Sequence, residues 1–338
     1  MISINNIKKN AAAKKRSKDT EYLYASAYLR SIEEKGVCRE LLSRMLDAPD
    51  AASASAMLIE AYRKNSVTEN QLCDEIVNSA FDTVDEVVSV ENMFTFMRYP
   101  YDANNIKTAI KCAAKGMQTD GLMFACGTLP ENEYQLLVVS NDYSKLPTML
   151  SDAAKAASDA FTKTGDPQSI DLPIDKACLE AMLEKAKETG SRFISDAVVL
   201  KVDSANIMTA LRISRLNDQT AAATAERALA VGGKIPVSAL VEAVANGESV
   251  VDTAIKFRPE LSTALDASRT LGETERALDN AYLEAVYAAK KVPFGCEIPF
   301  AYLVSAEYNS KNARIILAGK RAGLHAEAIG ERMRLFYV

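Results

Sequence analysis

The chain has 338 residues, of which 48% are hydrophobic and 25% charged, so it can fold as two or three globular domains with an apolar core. Its formal net charge of −5 and the scattering of its basic residues argue against nucleic-acid binding. No apolar run approaches the ~18 residues of a transmembrane helix, and no apolar segment typical of a signal peptide follows the first basic residues.

Glycine and proline are scarce, at 14 and 10 residues, which favours helices over strands. Residues 1–20 are polar and basic, and we predict a solvated tail there, with a basic membrane-binding segment as the alternative. Helical periodicity then predicts a helix over 21–36 that ends at Gly36, followed by helices over 37–46 and 51–65.

The chain continues with a helix predicted over 66–90, for which Ser66 or Thr68 is a plausible N-cap. Two later stretches, 163–173 and 291–297, contain Gly and Pro and are predicted to be extended loops. The six cysteines show no CxxC spacing, which is typical of reduced cytosolic thiols that pack as small apolar residues.

The most informative feature is a stretch that occurs three times, at 101–116, 202–217 and 308–323. Each copy contains an asparagine followed by apolar residues one, four and five positions later, on one stripe of an α-helix. An aspartate or asparagine stands three positions before it, and Gly116, Asn217 or Gly323, eleven positions after it, is predicted to end the helix. The signature residues are Asp102 and Asn105, Asp203 and Asn206, and Asn309 and Asn312. Because three copies keep register at nearly equal spacing, the sequence predicts a triplicated unit.

The ends of the first two units are marked by glycine breaks. The segments Gly127-Thr-Leu-Pro130 and Gly233-Lys-Ile-Pro236 each precede a helical pattern, with proline suited to the first turn. We therefore predict three similar helical domains, at 1–128, 129–232 and 233–338. The predicted fold class is all-α, with the units packed around a pseudo-threefold axis or as a short curved stack.

The signature residues are predicted to lie inside long helices. Hydrogen bonding of each asparagine to a neighbouring helix explains its recurrence better than a ligand role. Basic residues crowd the last turns of the repeated helices, where they complement the helix dipole or, alternatively, dock a partner. These docking candidates are Lys111, Lys115, Arg212, Arg215, Lys320 and Arg321.

Candidates for catalysis are few. Asp82, Asp85 and Glu86 share a helix face and could hold Mg²⁺, but no second acidic cluster accompanies them, so we interpret them as a solvated face. The single histidine, His325, has no catalytic partner near it in sequence and is expected at the surface or at a helix cap. Residues 231–234 lack the frame of a phosphate loop and are predicted to form a turn. No catalytic residue, cofactor or metal site is expected.

Several of these segments together resemble the C subunit of A-type and bacterial V-type ATP synthases, the homologue of the eukaryotic V-ATPase d subunit. They are YDANNIKTAIK at 101–111, VDSANIMTALR at 202–212 and the end of the chain from Ile298. In that last segment, the residues that match the family's pattern are Tyr302, Leu303, Glu307, Asn312, Arg314, Ile316, Gly319, Lys320, Gly323, Tyr337 and Val338.

The resemblance runs from about Tyr22 to Val338, with two departures. The segment YLYASAYLRSIE is similar to the family's opening, although Tyr28 stands where the family has an arginine. Asn309 stands where the third copy usually has an acidic residue.

The resemblance implies an all-helical funnel of three domains on the cytoplasmic face of a membrane rotor ring. It implies that the funnel receives the foot of a shaft made by subunits D and F, and carries torque during ATP-linked transport of H⁺ or Na⁺. The chain would then be a non-catalytic monomer within a hetero-oligomeric complex, without a nucleotide or metal site.

Two other functions stay open from the residues alone. A generic helical-repeat adaptor would be distinguished by whether three equivalent units enclose a central cavity. An all-helical Mg²⁺-dependent diphosphate enzyme would need a second carboxylate cluster facing Asp82, Asp85 and Glu86.

Overall fold

The structure, a computed structural model, describes residues 19–33, 37–62, 68–216 and 220–337, and is helical without strands throughout that part. The α-helices are α1 Leu23–Ile32, α2 Arg39–Asp47, α3 Ala51–Tyr62, α4 Glu69–Val87, α5 Tyr99–Lys115, α6 Glu131–Ser140, α7 Thr148–Thr164, α8 Gln168–Glu188, α9 Arg192–Ser214, α10 Ala221–Ala228, α11 Val237–Asn246, α12 Val250–Phe257, α13 Leu271–Tyr287, α14 Glu297–Arg321 and α15 Ala326–Gly330. Short 3₁₀ turns are Asp19–Tyr22, Thr95–Arg98, Pro259–Leu261 and Ala288–Lys291. The predicted all-α fold is confirmed.

Four predicted features lie outside the described residues. They are residues 1–18 of the tail predicted at 1–20, the helix end at Gly36, the possible cap at Ser66 and the helix end at Asn217. The alternative cap is described. Thr68 is the N-cap of α4. Its hydroxyl accepts a hydrogen bond from the N–H of Gln71, and the side-chain oxygen of Gln71 accepts one from the N–H of Thr68, so the two residues form a capping box.

One predicted loop is wrong. The stretch 163–173 is helical except at 165–167, since α7 continues to Thr164 and α8 begins at Gln168. The carboxylate of Asp166 accepts the N–H of Gln168 and so starts α8 ahead of Pro173. Pro173 therefore lies inside the helix. It removes one helical hydrogen bond, but the long packing contact between α7 and α8 outweighs that loss.

Three helices carry the signature asparagines, namely α5, α9 and α14, and we call them the asparagine helices. Each packs along a second helix that bears acidic residues: α5 on α8, α9 on α13 and α14 on α4. We call α8, α13 and α4 the acidic helices. The order is cyclic, because α14, late in the chain, returns to α4 and also contacts α1, α2 and α3.

The apolar stripe predicted for each asparagine helix lies in the core. Its buried members are Ile106, Ala109, Ile110, Ile207, Ala210, Ala313, Ile316 and Leu317. Leu211 is half-buried. Each buried Ile or Leu contributes roughly 1.5–3 kcal/mol relative to an exposed one, so these stripes hold the asparagine helices in place.

Candidate functional site

Each signature asparagine binds the main chain of one residue in the segment that follows its helix. The Nδ2 of Asn105 donates to the carbonyl of Phe124 at 2.8 Å, and its Oδ1 accepts the Phe124 N–H at 2.8 Å. The same two bonds join Asn206 to Ala230, at 2.8 and 2.9 Å, and Asn312 to Arg334, at 3.1 and 2.8 Å. We call this pairing the asparagine clasp. It imitates the exchange of hydrogen bonds between neighbouring strands and holds the returning segment against its helix.

The aspartates of the first two copies bind the same returning segments. Oδ1 of Asp102 accepts the N–H of Thr128 at 2.6 Å, and Oδ2 of Asp203 accepts the N–H of Lys234 at 3.0 Å. Thr128 and Lys234 each stand four residues after the clasped residue. The two segments therefore run along their helices in the same register.

Glycine is required where each segment passes its aspartate. A β-carbon at Gly127 would lie 2.8 Å from Oδ1 of Asp102, and one at Gly233 would lie 2.1 Å from Oδ1 of Asp203. Both carboxylates are buried and held by several hydrogen bonds, so moving either one aside would break hydrogen bonds and disturb close packing. The glycine breaks in the sequence thus allow a close approach of main chain to carboxylate.

Asn309, the departure in the third copy, has a different type of partner. Its Nδ2 donates to the carbonyl of Val37 at 2.6 Å, and the residue is buried. A carboxylate cannot donate a hydrogen bond, so an aspartate would face this carbonyl without a proton to share. The amide at position 309 therefore follows from its contact with the N-terminal part of the chain.

The two buried aspartates differ in how their charge is balanced. Asp203 receives the guanidinium of Arg258, with Nε 2.7 Å from Oδ2. Asp102 instead accepts the hydroxyls of Thr128 and Tyr134, at 2.8 and 2.5 Å. Burial raises the pKa of Asp102 above its usual range, although the bonds from Tyr134 and Thr128 oppose that rise.

This arrangement shapes the fold and offers little to a ligand. Both polar atoms of Asn105, Asn206 and Asn312 are engaged within the chain, and all three residues are buried. The clasps therefore act as structural joints between each asparagine helix and the segment that leaves it.

Most of the predicted docking residues contact another part of the chain. Lys111 pairs with Asp171 at 2.5 Å, Arg212 with Glu275 at 3.1 Å and Arg321 with Glu69 at 3.4 Å, while Lys320 donates to the carbonyl of Ala48. Each contact joins parts of the chain that the sequence assigns to different domains. Lys115 and Arg215 are exposed and have no ion-pair partner among the described residues.

The carboxylates that pair with these basic residues were not predicted from the sequence, although the sequence contains a signal for them. Asp171 and Glu275 each stand eight residues before the related segments LEAMLEKAK and LEAVYAAKK, and Asp175 stands four before the first. Asp175 pairs with Lys107 at 2.5 Å. On α4, Asp74 pairs with Arg314. Basic residues of the asparagine helices thus face carboxylates of the acidic helices around the whole cycle.

A cavity of about 360 Å³ lies mainly between α8, α9 and α13, with α5 and α14 at its edges. Asn104 of α5, Lys201 of α9 and Tyr308 of α14 all line it, together with side chains of α8 and α13. Burial opposes the charge on Lys201, but Glu307, 2.9 Å away, raises its pKa above the usual value. The wall therefore carries a stable ion pair between α9 and α14.

The remaining sequence candidates are found at the surface. Asp82, Asp85 and Glu86 are exposed, and the described part of the chain brings together no group of three His, Cys, Asp or Glu side chains that could hold a metal ion. His325 is exposed at the N-cap of α15 and makes no capping bond through its side chain. None of the helices in the described ranges is both long and apolar enough to cross a membrane.

Comparisons with known proteins identify the family. The sequence model of the family described as "ATP synthase (C/AC39) subunit" matches residues 25–332. The chain is also similar to the C subunit of the V-type sodium ATPase of Enterococcus hirae, with 25% identity over 247 residues, which cover 71% of this chain and 74% of that protein. The chain therefore belongs to the ATP synthase (C/AC39) subunit family and is a non-catalytic subunit of a rotary ATPase.

Proposed function

We propose that this chain is the socket of the central stalk, which couples the shaft of subunits D and F to the membrane rotor ring. One observation carries the proposal: each asparagine helix packs along an acidic helix of another predicted domain, and the three pairs run in cyclic order from the first domain to the second, the third and back to the first. A closed cycle has one face for a shaft and another for a ring. In this proposal the chain acts as a single copy on the cytoplasmic face of the membrane, without a catalytic site.

The contacts between helices suit the transmission of torque. A subunit that carries torque must resist shear between its parts, and each junction of the cycle combines apolar packing with ion pairs. Lys111 and Asp171 join α5 to α8, Arg212 and Glu275 join α9 to α13, and Arg314 and Asp74 join α14 to α4. We propose that the cycle arose by triplication, with domains at 1–128, 129–232 and 233–338 related by a pseudo-threefold axis.

Lys115 and Arg215 are the docking candidates that remain available. Both are exposed at or just beyond the C-terminal ends of asparagine helices, where no described carboxylate neutralises them. We propose that they contact an acidic surface of the shaft or of the ring. The name of the Enterococcus hirae relative makes Na⁺ a candidate for the transported ion, beside H⁺.

The test is reconstitution of the complex with and without this chain. We expect a complex that lacks it to lose ATP-driven ion pumping, while its ATP-hydrolysing head with subunits D and F stays active. Adding the purified chain should restore pumping and bring shaft and ring into one particle. A chain that binds neither shaft nor ring, or pumping that persists without it, would favour a generic helical adaptor.

The docking role is tested in the same assay with Lys115→Glu and Arg215→Glu combined. We expect weaker assembly, most strongly at low salt, where charge repulsion is least screened. Lys163→Glu is the matched control, because Lys163 is an exposed residue in the last turn of α7, which is not an asparagine helix. Assembly equal to that of the unaltered chain would exclude Lys115 and Arg215 as docking residues.

A further inference from the structure

Each asparagine helix contacts two shorter helices, which we call its helix pair. The pair of α5 is α6 and α7, and the pair of α9 is α11 and α12, so both pairs follow their asparagine helix along the chain. The pair of α14 is α2 and α3, from the N-terminal part of the chain. The third helix pair therefore precedes its asparagine helix in the sequence, whereas the other two follow theirs.

The first helix of each pair buries the same positions. The helices α6, α11 and α2 begin at Glu131, Val237 and Arg39, and each buries its fourth and seventh residues. These buried residues are Tyr134 and Leu137, Leu240 and Ala243, and Leu42 and Met45. Residues three positions apart lie on one face of a helix, so the three helices turn the same face to the core.

The signature residue three positions before each asparagine holds the segment that leads into the helix pair. The carboxylates of Asp102 and Asp203 each accept a main-chain N–H three positions before α6 and α11 begin. The amide of Asn309 donates to the carbonyl of Val37, two positions before α2 begins. Val37 stands 272 residues before Asn309 in the sequence. The third pair is therefore held at the same position as the others, but by a contact between distant parts of the chain.

The third helix pair, together with α1, is connected to the rest of the cycle differently from the first. Within these 338 residues the chain joins α1–α3 to the remaining helices only once, from α3 to α4, whereas α6 and α7 are joined at both ends, to α5 and α8. At its other end α1–α3 is held by contacts. Lys320 donates to the carbonyl of Ala48, and Arg30 donates to the carbonyl of Lys290 at 3.4 Å.

We propose that α1–α3 is a strap that closes the domain predicted at 233–338, and that it detaches from α14 as one piece while the rest of the cycle stays folded. A segment that is connected at both ends must form a closed loop when it detaches. For a loop the length of α6 and α7, this restriction lowers the population of the detached state about 100-fold. A segment connected at one end has no such restriction, so its local opening is favoured. The third domain thus has a closure that the other two lack.

Native-state hydrogen exchange of the full chain in low concentrations of urea, followed by mass spectrometry, tests the proposal. We expect the amides of α2 and α3 to exchange through one shared opening, about 100-fold more populated than the opening of α6 and α7. The amides of α4 and α14 should exchange only on global unfolding. No shaft or ring is present, so the result does not depend on the coupling function.

Three results would overturn the proposal. In the first, α2 and α3 exchange only together with α4 and α14. In the second, they exchange independently of each other. In the third, their shared opening is no more populated than that of α6 and α7. These measurements use the unaltered chain, so they do not depend on whether any variant folds.

Two neighbouring substitutions on α14 provide a matched comparison. Asn309→Ala removes the bond to Val37, and Ser310→Ala removes the bond from the Ser310 hydroxyl to the carbonyl of Cys73 on α4, which is 2.7 Å long. Both residues are buried. Asn309→Ala should raise the population of the strap opening about tenfold, because the carbonyl of Val37 is hydrated only when the strap is detached. Ser310→Ala should leave it unchanged, because its bond is present in both states. Equal effects of the two substitutions on the strap would overturn the proposal.

Discussion

The side-chain amide of Asn206 and the main chain of Ala230 exchange two hydrogen bonds, of 2.8 and 2.9 Å, in the core of the chain. Asn206 is 2% exposed and Ala230 is fully buried. No helix or strand ladder pairs these polar groups of Ala230, so the asparagine supplies the partners that regular structure would otherwise provide.

We predict that Asn206→Ala lowers the free energy of unfolding by about 2–4 kcal/mol, because the N–H and C=O of Ala230 would stay buried without partners. Urea denaturation followed by circular dichroism measures the change. Asn246→Ala is the control, since Asn246 is exposed at the end of α11, and it should alter stability by less than about 0.5 kcal/mol. Equal effects of the two substitutions would contradict the structural role of the clasp.

The two buried aspartates should respond differently to the same substitution. Asp102→Asn can keep its bonds, because an amide oxygen accepts from the Thr128 N–H and the new NH₂ donates to the Thr128 hydroxyl, so we expect a change below about 1 kcal/mol. Asp203→Asn removes the buried carboxylate that faces the guanidinium of Arg258 and leaves it only the exposed Glu260, at a cost of about 3 kcal/mol. Thermal and urea unfolding of both variants decide the point, and a larger loss for Asp102→Asn would refute it.

The same Asp102→Asn variant should also change how stability depends on pH. Burial raises the folded-state pKa of Asp102, so between its unfolded value of about 3.9 and that raised value the folded state binds more protons than the unfolded state. The free energy of unfolding then falls as pH rises through this window. We expect the advantage of the unaltered chain over the variant to shrink from pH 4 upward and then level off. An advantage that grows with pH would show that the folded pKa is depressed.

Ion pairs at the junctions of the cycle should contribute unequally to the free energy of unfolding. Asp74 is nearly buried and pairs with Arg314, whereas Lys111 and Asp171 are both more than a third exposed. We expect Arg314→Met to cost about 3 kcal/mol by leaving Asp74 buried and unpaired, and Lys111→Met to cost less than about 1 kcal/mol. Urea denaturation compares the two variants. Adding Asp74→Asn to Arg314→Met should recover part of the loss, and its failure to do so would point to lost packing instead.

The sequence by itself determined the all-helical fold, the three asparagine helices and their apolar stripes. These features are local, since a 3.6-residue period and a helix-ending glycine such as Gly116 can be recognised within one segment. The breaks at Gly127 and Gly233 were also predicted from the sequence. Their close approach to the carboxylates of Asp102 and Asp203 was not predicted.

Only the tertiary structure decided which distant groups meet. Arg314 and Asp74 are 240 residues apart, and their pairing depends on α14 packing against α4, which no local pattern specifies. For the same reason Lys320 and Arg321, which the sequence offered for a partner, bind Ala48 and Glu69 of this chain. A charged residue contributes the same composition and helical periodicity to a sequence whether its side chain faces solvent, a partner or its own chain. The packing of the helices decides which of these it faces.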